Sequence, residues 1–286
     1  MSRQYPLTQS QSLIWAGAKL APAIPLYESV FTFEISGNLD PAAFCLAFDR
    51  LVEQNDALRM RIADESSGTV ATFVQSGMPS CELVDLSDRP SEVSGWMTRR
   101  MQSVLDPGKC MFDSVLVETG EQQYCWYLCM HHLITDGANV KLMLREQEAL
   151  YLAETDDRKP QREPAACEKF AQFLLQDENL RSKTPDERAQ TWWKERERPR
   201  EPSRLYNRNP QEADWRQVRI ARQLGAPRSA ALSALAKSSG FRALTPELSL
   251  FNVFATALAT FIHRIEDRET LCFGVTTNGR KTAIER

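Results

Sequence analysis

Two adjacent histidines are the residues whose type and position point most directly to chemistry. They are His131 and His132 in the segment MHHLITDG, residues 130–137, which follows an alternating apolar stretch and precedes a helical one. Successive side chains of a strand point to opposite faces, so the two imidazoles cannot do the same work. We expect one to be a buried histidine that fixes the loop. The other is expected to project from the strand end into a cleft as a base that titrates near neutrality.

Asp136 and Gly137 close this segment at the turn into the next helix. The Asp136 carboxylate can cap that helix or pair with a basic residue, and Gly137 permits a positive φ or a close backbone approach. Spacing alone leaves a structural role for the histidine pair open, so the surrounding elements have to be considered.

Strands and helices alternate around this segment, which indicates an α+β fold with two layers. Period-two patterns predict strands at residues 30–36, 58–62, 70–74, 81–86, 113–117 and 123–132, and further along the chain at 215–224 and 271–276. Helical spacing predicts helices at 9–19, 41–55, 91–105, 138–153, 167–177, 185–198, 227–239 and 246–265. The strands at 113–117 and 123–132 should form a hairpin that leads into the centre of a sheet.

Composition divides the chain into three parts. Residues 1–155 are expected to form a first lobe that carries the histidine segment. Residues 156–210 are rich in proline and charge and are expected to be a connector with helices, and residues 211–286 begin a second lobe.

The 286 residues are 42% hydrophobic and 26% charged, which is typical of a packed protein rather than a disordered one. The formal charge of −3 argues against a nucleic acid partner. We find no signal peptide and no apolar run near the roughly 20 residues that a membrane span needs, so we expect a cytoplasmic protein.

Seven cysteines without an export signal predict reduced thiols rather than disulfides. Cys125 and Cys129 precede the histidines and suggest a metal site. On a strand, however, their sulfur atoms would lie about 13 Å apart, and zinc binds sulfur at about 2.3 Å. We therefore expect no metal.

The segment HHLITDG matches the pattern HHxxxDG of the condensation domains of nonribosomal peptide synthetases and of related acyltransferases with the chloramphenicol acetyltransferase fold. Three more segments resemble motifs of this family in the same order, namely YPLTQSQSLIWAG from Tyr5, QNDALRMRI from Gln54 and FGVTTNGR from Phe273.

Two of these segments depart from the family patterns. QNDALRMRI keeps Leu58 and Arg59 but has Gln-Asn-Asp at 54–56 where the family has Arg-His-Glu, which puts any interaction of that triplet in doubt. FGVTTNGR has one residue inserted before Arg280.

The resemblance implies a chloramphenicol acetyltransferase-like pseudo-dimer of two lobes. Because family members are longer than 286 residues, it also implies that the second lobe is truncated and that the chain is a fragment. His132 would be the catalytic imidazole, in a tunnel between the lobes, and His131 its structural neighbour. Asp136 would pair with an arginine, Arg280 in preference to Arg59, and Gly137 would bring the backbone near a donor thioester.

The activity that the resemblance implies is amide bond formation between a carrier-bound acyl or peptidyl thioester and a carrier-bound aminoacyl acceptor, by an N-terminal or starter domain. The implied partners are donor and acceptor peptidyl carrier proteins, or an acyl carrier protein, and adjoining synthetase domains. The chain itself would bind no cofactor, because the 4′-phosphopantetheine belongs to the carriers. Two alternatives stay open, a freestanding acyltransferase with an untethered alcohol or amine acceptor, and a non-catalytic carrier-docking domain.

Overall fold

The computed structural model describes residues 3–66, 68–155, 169–181, 187–196, 220–272 and 274–275. These residues fall in two compact units, one within Met1–Pro185 and the other within Asp186–Thr277.

The first unit combines strands with helices. Its strands are β1 (Tyr5–Pro6), β2 (Glu28–Ser36), β3 (Met60–Glu65), β4 (Gly68–Phe73), β5 (Glu82–Asp85), β6 (Phe112–Gly120) and β7 (Gln123–His131). Its helices are α1 (Gln9–Leu20), α2 (Pro41–Gln54), α3 (Val93–Arg100), α4 (Asn139–Thr155) and α5 (Lys169–Arg181), with short 3₁₀ turns at Asp56–Arg59 and Pro90–Glu92. The second unit contains helices α6 (Glu187–Arg196), α7 (Gly225–Lys237) and α8 (Pro246–Glu266).

The strands form two sheets. The larger sheet has the order β2-β7-β6-β5, and the smaller one has the order β1-β4-β3. Strand β7 pairs antiparallel with β2 on one side and with β6 on the other, while β5 runs parallel to β6. The predicted hairpin of β6 and β7 is therefore confirmed, and β7 lies inside the sheet.

The two faces of β7 pack in different clusters, which explains why nearly the whole strand is buried. Trp126 packs against Phe44 and Phe48 of α2, with ring centroids 5.3 and 6.0 Å apart. On the opposite face, Tyr127 packs edge-on against Trp96 of α3, with ring centroids 5.7 Å apart. Helices thus cover the sheet, as the α+β prediction requires.

The first two helices begin at the predicted residues, 9 and 41, and each has a side-chain cap. The Thr8 hydroxyl accepts from Gln11 N, and the Gln11 side chain accepts from Thr8 N, which is a complete capping box. Asp40 caps α2 through Ala42 N and Ala43 N, and Pro41 occupies the first helical turn.

Several predicted bounds in the first unit differ from the structure, and for three of them the cause is visible. Strand β2 begins at Glu28, two residues before the predicted start, because its pairing with β7 continues to the end of that strand. The first strand of the smaller hairpin begins at Met60, since the two residues before it lie in a 3₁₀ turn. Helix α3 ends at Arg100 rather than at the predicted residue 105. The amide of Leu105 donates to the Glu28 carboxylate at 2.7 Å and not to a helical carbonyl.

The two strands predicted in the second lobe are not present in its described parts, residues 220–224, 271–272 and 274–275. The other positions of these predicted strands lie outside the described residues. An extended segment needs a neighbour to complete its hydrogen bonds, and the described part of the second unit contains helices only.

Helix α8 is long and apolar enough to cross a membrane, with 21 residues and a mean hydropathy of 1.4 over its most apolar window. The statement that no apolar run approaches this length is therefore wrong. Core helices of soluble proteins have the same length and composition, so the feature is weak evidence for a membrane span.

Candidate active site

The histidine segment leaves the sheet at the end of β7, held by strand neighbours on both sides. The amide of His131 donates to Met111 O at 2.9 Å, and the amide of His132 donates to Tyr27 O at 2.7 Å. In the same register Glu28 lies opposite His131, and Ser29 lies opposite Met130. The backbone of both histidines is thus fixed, and their side chains point to opposite faces as predicted.

His131 is the buried member of the pair, with 4% of the residue exposed. Its Nδ1 accepts a hydrogen bond from Leu133 N at 3.2 Å. Burial, followed by the charge of His132, lowers the pKa of His131 from 6.5 to about 4. His131 is therefore a neutral group that folds the turn after it.

His132 is exposed and contacts two groups with its ring nitrogens. Nδ1 lies 3.2 Å from the carbonyl oxygen of Thr135, and Nε2 lies 3.2 Å from Oγ of Ser29. Because a carbonyl oxygen only accepts, Nδ1 has to carry the proton in the neutral ring. The Nε2 lone pair then accepts from the Ser29 hydroxyl, and Nε2 is the atom that can take up a proton.

Sequence reasoning missed both partners of His132. The contact from Thr135 is made by its backbone carbonyl, which every residue type supplies, so no side chain signals it. Ser29 did leave a signal, because it is a polar residue in phase with the apolar Phe31, Phe33 and Ile35 of the same strand.

Asp136 caps helix α4. Its Oδ1 accepts from Ala138 N at 3.0 Å and from Asn139 N at 2.9 Å, so of the two roles predicted from the sequence the structure shows the capping one. Arg280, the preferred ion-pair partner, lies outside the described residues.

Arg59 is not the partner of Asp136, which corrects the alternative pairing. Its buried guanidinium donates to Val52 O at 3.2 Å through Nε and to Val74 O at 2.7 Å through Nη1. Arg59 therefore ties the last turn of α2, through the Val52 carbonyl, to the Val74 carbonyl that follows β4.

Gly137 is exposed next to the capping turn, and it is not one of the described glycines with positive φ. Of the two possibilities given for Gly137, a positive φ is thus not the one that the structure shows. A Cβ atom at this position would meet no described atom within 4 Å. The space beside Gly137 is open to a ligand.

Helix α1 supports the site in two places. The buried Gln11 donates from Nε2 to Leu133 O at 2.8 Å. Gly17 lies so close to Tyr27 that a Cβ atom at this position would overlap the hydroxyl oxygen and Cζ of the phenol ring. Since Tyr27 O accepts from the amide of His132, this close approach affects the site.

Asp56 stands where the family pattern has glutamate, and it is buried. Its carboxylate accepts from Phe170 N at 3.0 Å and from Ala171 N at 3.0 Å, the first amides of α5, and also from Ala57 N. Burial raises the pKa of Asp56 against these hydrogen bonds. Asp56 therefore holds the start of α5 in place within the first unit.

Cys45, Cys81, Cys110, Cys125 and Cys129 are free thiols; Cys272 is exposed, and Cys167 lies outside the described residues. Burial raises the pKa of Cys125, and raises that of Cys129 to about 12, so neither is a thiolate at neutral pH. Within the described ranges no three His, Cys, Asp or Glu residues are grouped as a metal site would require.

Comparison with known proteins agrees with this geometry. The family model "Condensation domain" matches residues 1–286. Chondramide synthase of Chondromyces crocatus is 25% identical over an alignment of 287 positions, which covers 97% of this chain and 7% of that protein. Isonitrile lipopeptide synthase of Streptomyces coeruleorubidus is 29% identical over 160 residues, which are 54% of this chain and 11% of that protein.

Solved structures share the fold. The first condensation domain of the calcium-dependent antibiotic synthetase, in complex with a substrate analogue, matches with a TM-score of 0.80 and 22% identity, over 99% of this chain and 65% of that one. A variant of the starter condensation domain of rhizomide synthetase in complex with C8-CoA matches with a TM-score of 0.78 and 21% identity, over 99% of this chain and 63% of that one. The chain thus spans somewhat less than two thirds of these two solved domains. It belongs to the condensation domain family of the nonribosomal peptide synthetases, with the chloramphenicol acetyltransferase-like fold.

Proposed function

We propose that the chain catalyses amide bond formation between a carrier-bound acyl or peptidyl thioester and a carrier-bound aminoacyl acceptor, with His132 as the base. The observation that carries this proposal is the state of the His132 ring. Its Nδ1 faces the Thr135 carbonyl, and its Nε2 lone pair faces the Ser29 hydroxyl on an exposed side chain.

The reaction needs a neutral amine nucleophile and an acceptor for its proton. The amine nitrogen attacks the thioester carbonyl carbon and forms the C–N bond, while one N–H bond breaks and its proton passes to Nε2 of His132. The C–S bond then breaks, and the leaving thiolate takes the proton from Nε2. A positioned general base contributes about 10²- to 10⁴-fold in rate.

The other motif residues serve this imidazole without touching the reacting atoms. His131 folds the turn through Leu133 N, and Asp136 anchors the start of α4. The neutrality of His131 matters because a second positive charge beside His132 would oppose its protonation. We also propose that Arg280 forms an ion pair with Asp136.

Donor and acceptor carrier proteins, each with a 4′-phosphopantetheine thiol, are the proposed partners, together with adjoining synthetase domains. Support comes from the curated relatives, which are peptide synthetases, and from the starter condensation domain and first condensation domain among the solved structures. These neighbours favour a starter or first domain of its synthetase, and a cytoplasmic location follows from these partners.

The test is the intact mass of an aminoacyl carrier protein after incubation with the chain and a donor-loaded carrier. We expect a gain equal to the donor acyl group, and loss of that gain in the variant His132→Ala. Parallel reactions replace the acceptor carrier with the free amine or an alcohol. Product only with these acceptors would instead indicate a freestanding acyltransferase.

Carrier binding is measured in the same samples by titration calorimetry. Binding that is unchanged in His132→Ala, with no product from any donor and acceptor, would refute the proposal and indicate a carrier-docking domain. The control variant is His263→Ala, because this histidine lies on α8 of the second unit and is exposed.

A further inference from the structure

Ser29 reaches the catalytic imidazole through the register of β2 and β7. It lies opposite Met130 in the antiparallel ladder, and its side chain shares a face with Met130 and with His132 two residues further along. The other residues of β2 on that face, Phe31, Phe33 and Ile35, pack on the main core. Ser29 is therefore the polar end of an apolar face, and it is the end that meets the histidine.

The imidazole of His132 is held at both nitrogens. The Thr135 carbonyl lies 3.2 Å from Nδ1, and the Ser29 hydroxyl lies 3.2 Å from Nε2. Two contacts on opposite edges of the ring fix its rotation about the Cβ–Cγ bond, which the exposed position of His132 would otherwise leave free.

A hydroxyl suits the second position because it can both donate and accept. In the neutral ring, Ser29 donates to the Nε2 lone pair. Once Nε2 has taken a proton, the same oxygen can accept from Nε2–H after its own hydrogen rotates away. The Thr135 carbonyl accepts from Nδ1–H in both states, so the two partners together hold the ring through the whole proton transfer.

We propose that Ser29 is a positioning residue for His132, which keeps the Nε2 atom aimed at the acceptor amine in the neutral and protonated states. This inference rests on the proposed role of His132 as the base. As the amine N–H approaches the Nε2 lone pair, the Ser29 hydroxyl hydrogen rotates away, and its oxygen stays beside Nε2 as an acceptor for the N–H bond that forms there. The amine N–H bond breaks and the Nε2–H bond forms, while Ser29 keeps its own proton throughout.

Removing the Ser29 hydroxyl should lower kcat by the amount that one neutral hydrogen bond contributes to the transition state. The variant Ser29→Ala should lower kcat by about 3- to 10-fold and leave KM for the donor carrier unchanged. Ser29→Thr keeps the hydroxyl and should restore kcat to within about twofold of the wild type. Ser36→Ala is the matched control, because Ser36 is exposed on the same strand and its hydroxyl donates to Gln123 Oε1 at 2.9 Å, at the end far from His132.

A second readout does not depend on turnover. The chain has three histidines, so its ring nitrogens can be resolved by ¹⁵N NMR. In the wild type we expect the His132 signals of a ring with a proton on Nδ1 and a hydrogen-bonded lone pair on Nε2. Ser29→Ala should shift the Nε2 signal to that of a free lone pair, and Ser36→Ala should leave both signals unchanged.

The outcomes separate this inference from the proposed function. If His132→Ala turned over like the wild type, the base assignment would fail, whatever the NMR signals show. If His132→Ala is inactive but Ser29→Ala keeps wild-type kcat, the positioning role of Ser29 is overturned. The same conclusion follows from an unshifted Nε2 signal, or from a loss of kcat that Ser29→Thr shares in full. Adding Ser29→Ala to His132→Ala should cost no further activity, because the serine acts through the histidine.

Discussion

Gln11 of the first helix donates a hydrogen bond from its Nε2 to the backbone carbonyl of Leu133, 2.8 Å away and 122 residues further along the chain. The contact is buried, and Leu133 directly follows His132. The amide group of Gln11 also completes the capping box of α1 with Thr8. One side chain therefore fixes both the start of the first helix and the turn that carries His132.

Replacing Gln11 by alanine should destabilise the first unit by about 1 to 3 kcal/mol, because the buried carbonyl of Leu133 would lose its donor. The change is measured as the free energy of unfolding in denaturant, with hydrogen exchange at the amides of 133 and 134 as the local probe. Gln9→Ala, at an exposed position of the same helix, is the control. Equal stability of the two variants would show that the contact contributes nothing.

Gly17 should not tolerate alanine, although alanine normally stabilises a helix by about 0.5 to 1 kcal/mol relative to glycine. A Cβ atom at Gly17 would overlap the rigid ring of Tyr27, whose carbonyl accepts from the amide of His132. We expect a lower melting temperature and a lower rate of product formation for Gly17→Ala. Gly95→Ala in α3 should instead raise the melting temperature, since its Cβ would meet only the end of the Arg99 side chain at 3.4 Å. A melting temperature at or above the wild-type value in Gly17→Ala would contradict the predicted clash.

Stability should depend on pH through His131. Its pKa is 6.5 in the unfolded chain and about 4 in the folded one, so between these values the unfolded state binds more protons. The free energy of unfolding should therefore fall as the pH decreases from about 6.5 to about 4, by about 3 kcal/mol in total, and this loss should be absent above that range. His131→Asn keeps an acceptor for Leu133 N and does not titrate, so its unfolding free energy should be less dependent on pH. His263→Asn is the control and should keep the wild-type slope, whereas identical slopes in His131→Asn and the wild type would rule out a buried neutral His131.

Asp56 should be needed for the docking of α5. Asp56→Ala leaves the amides of Phe170 and Ala171 without their acceptor, and we expect a loss of about 2 kcal/mol in unfolding free energy. Hydrogen exchange at these two amides should accelerate more than exchange in the sheet. Asp88→Ala, an exposed position, should change neither quantity. Slow exchange of the amides of Phe170 and Ala171 in Asp56→Ala would mean that α5 is held by its apolar contacts alone.

Local patterns predicted the elements whose signals lie within a few residues. The starts of α1 and α2 and the period-two hairpin of β6 and β7 are of this kind. The opposite orientations of His131 and His132 followed from strand geometry alone. The end of α3 was missed because the amide of Leu105 bonds to Glu28, which is 77 residues away.

The support of the site could not be predicted in the same way. Gln11 and Asp56 act on backbone groups more than 100 residues away, and Thr135 acts through a backbone atom that carries no residue-specific signal. Ser29 was detectable as a polar residue in an apolar phase, but its target depends on the register between β2 and β7. The family pattern locates the histidines, and only tertiary contacts show what holds them.

The central claim is that two adjacent imidazoles do different work, His131 in folding the turn and His132 in taking the proton of the acceptor amine. The most direct measurement compares the single-turnover rate of amide formation in His132→Asn and His131→Asn, each with its melting temperature at neutral pH. We expect His132→Asn to lose about 10²- to 10⁴-fold in rate without a change in melting temperature, and His131→Asn to stay within a few fold of the wild-type rate. A rate in His132→Asn equal to the wild-type rate, or a larger loss in a fully folded His131→Asn, would contradict it.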